Sequence, residues 1–183
     1  MLFRSKGKWE LITEKDLEKA SPAVQADDIV IIVTGWNLKY SDSKEYFGYC
    51  PGLSAGAADW LVKKGVKLVG IDQAHVDHPL ATSMGPHRNG PQIKYLLPEY
   101  KEATGRDAIA DYPEWQPAHK KLLAAGIPTI VNVGGDVNEL LGKRCTFQAE
   151  PWQWMEGEAC IVRVAAMLDP TGKYRLENGK NNA

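Results

Sequence analysis

The chain has 183 residues, of which 44% are hydrophobic and 25% charged, and its formal net charge is −1. These values are typical of one globular domain, here expected over residues 1–183, and without a run of Lys or Arg neither nucleic acid nor a membrane is an expected partner. No segment reaches the roughly 18 consecutive apolar residues of a membrane span, and the start of the chain lacks the apolar stretch of a secretory signal. The three widely spaced cysteines are interpreted as reduced thiols, so a cytoplasmic protein is expected.

The first half of the chain predicts a strand, a helix and a second strand. The β-branched, apolar run at 28–35 is typical of a strand that is buried on both faces. Ser54 then caps a predicted helix over 55–64, and Gly65 ends it. The next apolar run, at 67–72, predicts the second strand. This order favours a βαβ unit, in which the two strands pair in parallel.

Two aperiodic stretches, 37–52 and 73–112, are interpreted as loops, and a loop as long as the second is typical of a functional or interface segment. A helix follows over 113–125, with a proline at its start and Gly126 just past its end. Further strands are predicted at 128–133, 145–149 and 159–168. The polar tail 171–183 is expected to fray. The sequence therefore predicts an α/β fold with a mixed sheet and flanking helices.

Three features are candidates for chemistry when the residues are considered alone. Asp72 ends a buried strand, and the carboxyl ends of parallel strands are where α/β folds place their sites; the alternative is a carboxylate that caps a turn. The run His75-Val76-Asp77-His78 holds the usual ligand groups of zinc and manganese, but it also suits a polar loop whose aspartate caps backbone amides. His119 lies in the predicted helix 113–125, where a lone histidine is either a ligand or an ordinary surface or core residue.

Short motifs occur in a fixed order over most of the chain. They are Asp28–Trp36, Pro51–Ser54 with Ala57–Leu61, Lys67–Asp72 with Val76-Asp77, and Pro117–His119 with Leu122-Leu123 and Gly126-Ile127. Together they resemble the cyclase family of hydrolases, which includes kynurenine formamidase and isatin hydrolase. The corresponding family patterns are G-D-I-V-L-x-x-T-G-W, P-G-L-S with A-A-x-W-L, V-G-x-D with x-D, and A-H-x-x-L-L-x-x-G-I.

The resemblance implies a swivelling β/β/α fold and metal-assisted hydrolysis of amides, formamides, cyclic imides or lactone-like rings. In such enzymes a divalent ion, zinc or manganese, polarises the scissile carbonyl and activates a water molecule. The family position that His119 occupies is a metal ligand. Asp72 is the candidate catalytic carboxylate, and contacts with the substrate are expected from Thr34, Trp36 and His75.

Two family features are missing from the sequence. The H-x-G-T-H-x-D-x-P-x-H motif, which supplies most of the metal ligands, does not occur, and the run His75–His78 aligns with a different family segment. Val131, twelve residues after His119, stands where the family often has a Glu or Gln ligand. One histidine is too few for a catalytic site, which needs about three protein ligands. Because the sequence starts where the family's fold is already half built, we expect a split enzyme: a separate subunit carries the missing motif, shares the metal and completes the fold as a hetero-oligomer.

Two other classes of function fit the same sequence. A non-catalytic structural subunit with the cyclase-like fold would explain Val131. A small-molecule binding module would keep a tryptophan-lined pocket without hydrolysis. A second chain that carries the missing motif would favour the split enzyme, whereas a metal-free homo-oligomer would favour the other two.

Overall fold

The computed structural model describes residues 6–87 and 93–169, together with 171, 176–177 and 180–181. The chain divides into two compact units, Met1–Gly142 and Lys143–Ala183. The single domain expected over 1–183 stays a prediction, and the tail 171–183 lies mostly outside the described residues.

The described residues form short strands and helices. The strands lie at Leu11–Ile12 (β1), Ile29–Ile32 (β2), Gly52–Leu53 (β3), Leu68–Ile71 (β4), Thr129–Ile130 (β5), Thr146–Pro151 (β6), Val162–Met167 (β7), Leu176–Glu177 (β8) and Lys180–Asn181 (β9). The α-helices lie at Glu14–Glu18 (α1), Lys44–Gly48 (α2), Ala55–Lys64 (α3), Ile93–Thr104 (α4), Ala108–Asp111 (α5) and Pro117–Ala124 (α6). Short 3₁₀ turns occur at Trp36–Lys39, Pro79–Ala81 and Val137–Leu140.

A parallel sheet with the order β2-β4-β5 forms the centre of the first unit. β2 and β4 pair in parallel along their whole length, with α3 in the connection between them, which confirms the predicted βαβ unit. β5 pairs in parallel with the other side of β4. Because all three strands run the same way, their carboxyl ends lie at one edge of the sheet, called the carboxyl edge below.

The helix α3 spans the predicted residues because its caps fix both ends. The hydroxyl oxygen of Ser54 accepts a hydrogen bond from the N–H of Ala57 at 3.0 Å. Gly65 ends the helix at a φ of +70°, a left-handed conformation that glycine adopts without strain. α3 packs against α6 and α1. The main core contains these helices and the sheet and buries Ile12, Leu17, Val30, Ile32, Ala57, Leu61, Val69, Ile71, Ala118 and Leu122.

The two stretches interpreted as loops contain more structure than predicted. The stretch 37–52 includes α2, and 73–112 includes α4 and α5, so the loop interpretation is wrong at these helices. α4 carries Pro98 in its interior, a residue that normally breaks helices. Leu96 and Tyr100 of α4 are nevertheless buried in a core cluster, and this packing holds the helix.

The second unit contains an antiparallel ribbon of β6 and β7, paired from Thr146↔Met167 to Pro151↔Val162. Both strands were predicted from the sequence. The segment that joins them carries the exposed Trp152 and Trp154, whose ring centroids lie 5.7 Å apart. With the parallel sheet of the first unit, this ribbon makes the fold mixed α/β, as predicted. None of the described helices has both the length and the apolar character that crossing a membrane requires.

Candidate functional site at the carboxyl edge

Asp72 lies directly after β4, and its carboxylate is fully buried. Its Oδ1 accepts hydrogen bonds from the backbone N–H and the hydroxyl of Thr34, at 2.9 and 2.7 Å. Its Oδ2 accepts from the N–H of Gly35 at 2.8 Å and from that of Asn37 at 3.4 Å. Both oxygens therefore hold the turn after β2, which is the capping alternative for this residue. Its catalytic role stays a prediction.

Thr34 and Trp36 are buried parts of this turn. The Thr34 hydroxyl oxygen accepts a hydrogen bond from the N–H of Trp36 at 3.3 Å. The indole Nε1–H of Trp36 donates to the carbonyl oxygen of Tyr46 at 3.0 Å. These bonds fix both side chains at the carboxyl edge, where substrate contact was predicted, and that contact stays a prediction.

The loop after β4 holds two buried polar atoms without a hydrogen-bond partner, Gln73 Oε1 and His75 Nε2. The Nε2 of Gln73 donates to the carbonyl oxygens of Pro51 and, at 3.0 Å, of His75. Burial lowers the pKa of His75 to about 4, and a hydrogen bond with the backbone of Phe47 only partly opposes this. His75 is therefore neutral at pH 7. Asn37 Oδ1, in the turn after β2, is a further buried atom without a partner.

Asn132 connects β5 to the rest of the carboxyl edge. Its φ is +56°, a left-handed conformation that asparagine tolerates better than most residues. Its N–H donates to the carbonyl oxygen of Gln73 at 2.8 Å, and its Oδ1 accepts from the hydroxyl of Tyr46 at 2.7 Å. Burial and the nearby Asp72 carboxylate raise the pKa of Tyr46 to about 12, so the hydroxyl keeps its proton.

A second buried carboxylate, that of Asp77, caps the helix that carries His119. Its Oδ1 accepts from the N–H of Ala118 at 2.7 Å, and its Oδ2 accepts from the N–H of His119 at 2.9 Å. The first N–H groups of a helix have no partner within the helix, and a carboxylate also complements the positive end of the helix dipole. Burial raises the pKa of Asp77, while the two N–H groups oppose the rise. The capping interpretation of this aspartate is confirmed.

His78 is buried within the core and uses both ring nitrogens. Its Nδ1 accepts from the N–H of Leu80 at 3.2 Å, so its Nε2 carries the proton and donates to the carbonyl oxygen of Trp9, also at 3.2 Å. The ring stacks on Tyr112 with the centroids 4.1 Å apart. Burial lowers the pKa of His78 to about 3. This histidine serves packing, and neither nitrogen is available to a metal.

The half-buried His119 is the candidate ligand of the chain. Its Nδ1 lies 3.3 Å from the hydroxyl of Thr129 on β5. Val131, which follows β5, is 39% exposed and offers no ligand atom. Within the described residues, no three His, Cys, Asp or Glu side chains come together in a set that could hold a metal ion. These residues alone therefore do not fit a catalytic zinc or manganese site.

Residues 3–78 match the model of the family described as "Putative cyclase". The matched segment includes the turn after β2, the Pro51–Ser54 motif and Asp72. No curated protein is significantly similar to the chain.

Solved structures of hydrolases share the fold. Isatin hydrolase A from Ralstonia solanacearum has a TM-score of 0.65 and 17% identity over 88% of this chain and 54% of its own. A potential metal-dependent hydrolase with cyclase activity has a TM-score of 0.55 and 20% identity, over 88% and 61%. A predicted metal-dependent hydrolase from Bacillus stearothermophilus has a TM-score of 0.54 and 18% identity, over 87% and 62%.

These likenesses define the fold, which is that of cyclase-like hydrolases of solved structure. The resemblance to the cyclase family is confirmed, by the family match in residues 3–78 and by the shared fold. The chain spans between 54% and 62% of the length of the three structures. Completion of the fold by another chain stays a prediction.

Sequence patterns did not single out several polar residues of the carboxyl edge. They are Asn37, Tyr46, Gln73 and Asn132. Each lies in a segment interpreted as a loop or as part of a strand, and no spacing rule connects positions so far apart. Gln73 and Asn132 do carry one usable signal, since both are polar and directly or closely follow a strand of a parallel sheet.

Proposed function

We propose that this chain is one subunit of a metal-dependent hydrolase and that His119 is its ligand to the metal. A separate polypeptide supplies the other ligands through the missing histidine-rich motif. The observation that carries the proposal is that His119, the candidate ligand, has contacts at both its backbone and its ring within a cyclase-like hydrolase fold. Asp77 holds the backbone N–H of His119, and Thr129 lies beside the ring.

The lengths of the structural neighbours support the part of the proposal in which further polypeptide completes the fold. The chain matches 54% of isatin hydrolase A from Ralstonia solanacearum, so nearly half of that enzyme has no counterpart here. The ribbon of β6 and β7 supports it as well, because a two-stranded ribbon has little core of its own and is marginally stable in water. Both features are explained if further polypeptide packs on the chain.

The proposed substrate class follows from the neighbours. Three of them are isatin hydrolase structures, and one of these three contains the product analogue thioisatinate. By analogy, the substrate has a carbonyl carbon bonded to nitrogen or oxygen in an amide, formamide, cyclic imide or lactone-like ring. A bound divalent ion, zinc or manganese, would polarise that carbonyl.

The residues of this chain would hold and orient the reacting groups. His119 binds the ion, while Thr34, Trp36 and His75 contact the substrate at the carboxyl edge. Asp72, the candidate catalytic carboxylate, carries four hydrogen bonds from the turn after β2, so its proposed role is to position that turn.

His119→Ala in the complex tests the ligand assignment. We expect bound metal and turnover, assayed with isatin and a formanilide, to fall together by at least tenfold. Even the loss of a residue that only supports a metal ligand weakens metal affinity by about 10- to 100-fold, and His119 is proposed as a ligand itself. His87→Ala is the matched control, because His87 donates from Nε2–H to the carbonyl oxygen of Tyr112 at 2.7 Å and is not one of the proposed site residues. Metal content that stays unchanged in His119→Ala would contradict the assignment.

A non-catalytic structural subunit is the second candidate, and Val131 favours it. In that case the chain assembles without metal, and His119→Ala changes neither its assembly nor the activity of any partner. Metal analysis of the assembly therefore separates the two functions.

A further inference from the structure

Among the residues that the structure describes, the buried acceptor atoms without a hydrogen-bond partner concentrate at the carboxyl edge. They are Asn37 Oδ1, Gln73 Oε1 and His75 Nε2. A buried polar atom that is left unpaired destabilises a protein, so native structures pair nearly all of them. The three atoms belong to the two segments that directly follow the neighbouring strands β2 and β4. Their occurrence at one edge indicates a place that receives a polar ligand.

Hydrogen bonds tie these two segments to each other. The N–H of Asn37 donates to the carboxylate of Asp72, which directly precedes Gln73. The Nε2 of Gln73 donates to the carbonyl oxygen of His75 at 3.0 Å. Apolar contacts with Trp36 and Tyr46 close the same region, because Ala74 packs on the cluster that contains both rings. The three atoms are thus parts of one connected region.

The unpartnered atoms of this region are hydrogen-bond acceptors. The Gln73 amide has a fixed orientation, because exchanging its O and N would set Oε1 against the carbonyl oxygens of Pro51 and His75. Gln73 Oε1 therefore needs a donor, as does Asn37 Oδ1. His75 Nε2 is an acceptor as well, because the hydrogen bond with the Phe47 backbone raises the pKa of His75 and therefore uses the N–H of the other ring nitrogen. Both oxygens of the Asp72 carboxylate already accept hydrogen bonds from the turn after β2, so the unpartnered acceptors are those of Asn37, Gln73 and His75.

We propose that Asn37, Gln73 and His75 form a subsite for a primary amide or an ammonium group. Both groups carry at least two N–H donors, one for Asn37 Oδ1 and one for Gln73 Oε1. His75 Nε2 accepts a third N–H, which ammonium has and a primary amide lacks. This subsite deepens the proposed function and rests on it only for the link to hydrolysis, in which an amide is a substrate and ammonium a product.

Thermal unfolding of the isolated protein, in the assembly in which it purifies, tests the subsite. Acetamide and ammonium chloride are the probes, and N,N-dimethylacetamide and tetramethylammonium chloride at equal concentrations are controls that lack N–H donors. We expect a rise in Tm that saturates with one or both probes and is absent with the controls, because a ligand that binds only the folded state stabilises it. Saturation by one probe alone assigns the subsite to that group. No saturable rise with either probe, or an equal rise with the controls, overturns the proposal.

Variants assign the response to these residues. Asn37→Ala removes Oδ1, and His75→Phe removes Nε2 while keeping a ring; both should abolish the saturable rise or reduce the apparent affinity at least tenfold. Asn138→Ala removes the same amide group outside these segments and should keep the rise. A rise that persists unchanged in both site variants contradicts the proposal. Because the measurement needs neither metal nor partner, its outcome does not depend on whether the chain is a subunit of a split enzyme. The subsite can be confirmed when the split-enzyme proposal is contradicted, and it can be contradicted when the split-enzyme proposal is confirmed.

Discussion

Asp72 and Asp77 use their buried carboxylates to hold backbone N–H groups of another segment. Asp72 holds the turn after β2, and Asp77 holds the start of α6. Each pairs donors that would otherwise be buried without a partner, and such donors destabilise a fold by about 1–3 kcal/mol each. These aspartates therefore shape the carboxyl edge and α6, while Asn37, Gln73 and His75 carry the buried unpartnered atoms of the proposed subsite.

Asp72→Asn should lower the free energy of unfolding by about 2–3 kcal/mol, because the new amide N–H₂ group faces N–H donors and cannot accept from them. Urea denaturation at pH 7 measures this. Asp59→Asn is the control, because Asp59 forms an exposed ion pair with Lys121 and should change stability by less than about 1 kcal/mol. Unchanged stability of Asp72→Asn together with lost turnover would instead favour a direct catalytic role.

His78 makes stability depend on pH. Its pKa is about 3 in the folded protein, against about 6.5 in an unfolded chain, so the unfolded state binds the proton first as the pH falls. Stability is therefore full above about pH 6.5 and is lost progressively at lower pH, with a slope of up to about 1.4 kcal/mol per pH unit from this group.

The slope of unfolding free energy against pH, measured from urea denaturation between pH 7 and 5, checks this contribution. His78→Phe keeps a ring beside Tyr112 but takes up no proton, so its slope should be smaller by up to about 1.4 kcal/mol per pH unit. Burial also lowers the pKa of His75, so this residue contributes to the pH dependence of the unfolding free energy in both wild type and variant. Equal slopes in wild type and variant would show that His78 does not titrate in this way.

At the scale of elements, α6 depends on a cap from outside its own sequence. Asp77→Ala should lower the free energy of unfolding by about 1–2 kcal/mol, as the loss of a helix cap does. It should also speed hydrogen exchange at the amides of Ala118 and His119, which lose their acceptor. Asp77→Asn keeps one acceptor oxygen and should protect one of the two amides. Equal exchange at both amides in wild type and Asp77→Ala would contradict the cap.

Local signals predicted both ends of α3 but only one end of α6, because the helix predicted over 113–125 begins at Pro117. Ser54 and Gly65 bracket α3, and the predicted and observed bounds agree. α4 was missed because Pro98 in its interior normally breaks a helix, while the burial of Leu96 and Tyr100, which tertiary packing decides, holds it. β5 is shorter than predicted because the left-handed φ of Asn132 ends the strand conformation.

The site was predictable in position and less so in its contacts. The end of a parallel strand indicated Asp72, since local pattern and fold class both place polar residues there. Its partner Thr34 lies 38 residues away in sequence, and Tyr46 and Asn132 lie 86 residues apart. Such pairs form only when distant segments meet in the fold, and no local spacing marks them.

At the scale of the whole molecule, the central claim is that the chain completes a metal site with another polypeptide. Three observations support this claim. The chain matches about half the length of its isatin hydrolase neighbour. It has one candidate ligand, His119, and the apolar Val131 stands where the resemblance implies a further ligand. A subunit of this kind has no metal site by itself and gains one on assembly.

Native mass spectrometry of the protein co-purified from its source, with metal analysis of the same sample, tests this claim most directly. The account predicts a complex of this chain with a second polypeptide that carries the histidine-rich motif, with a divalent ion that His119→Ala releases. A chain that is isolated alone or as a homo-oligomer without metal would contradict it. Discovery of the motif in the same covalent chain would contradict the separate subunit while keeping His119 as a ligand.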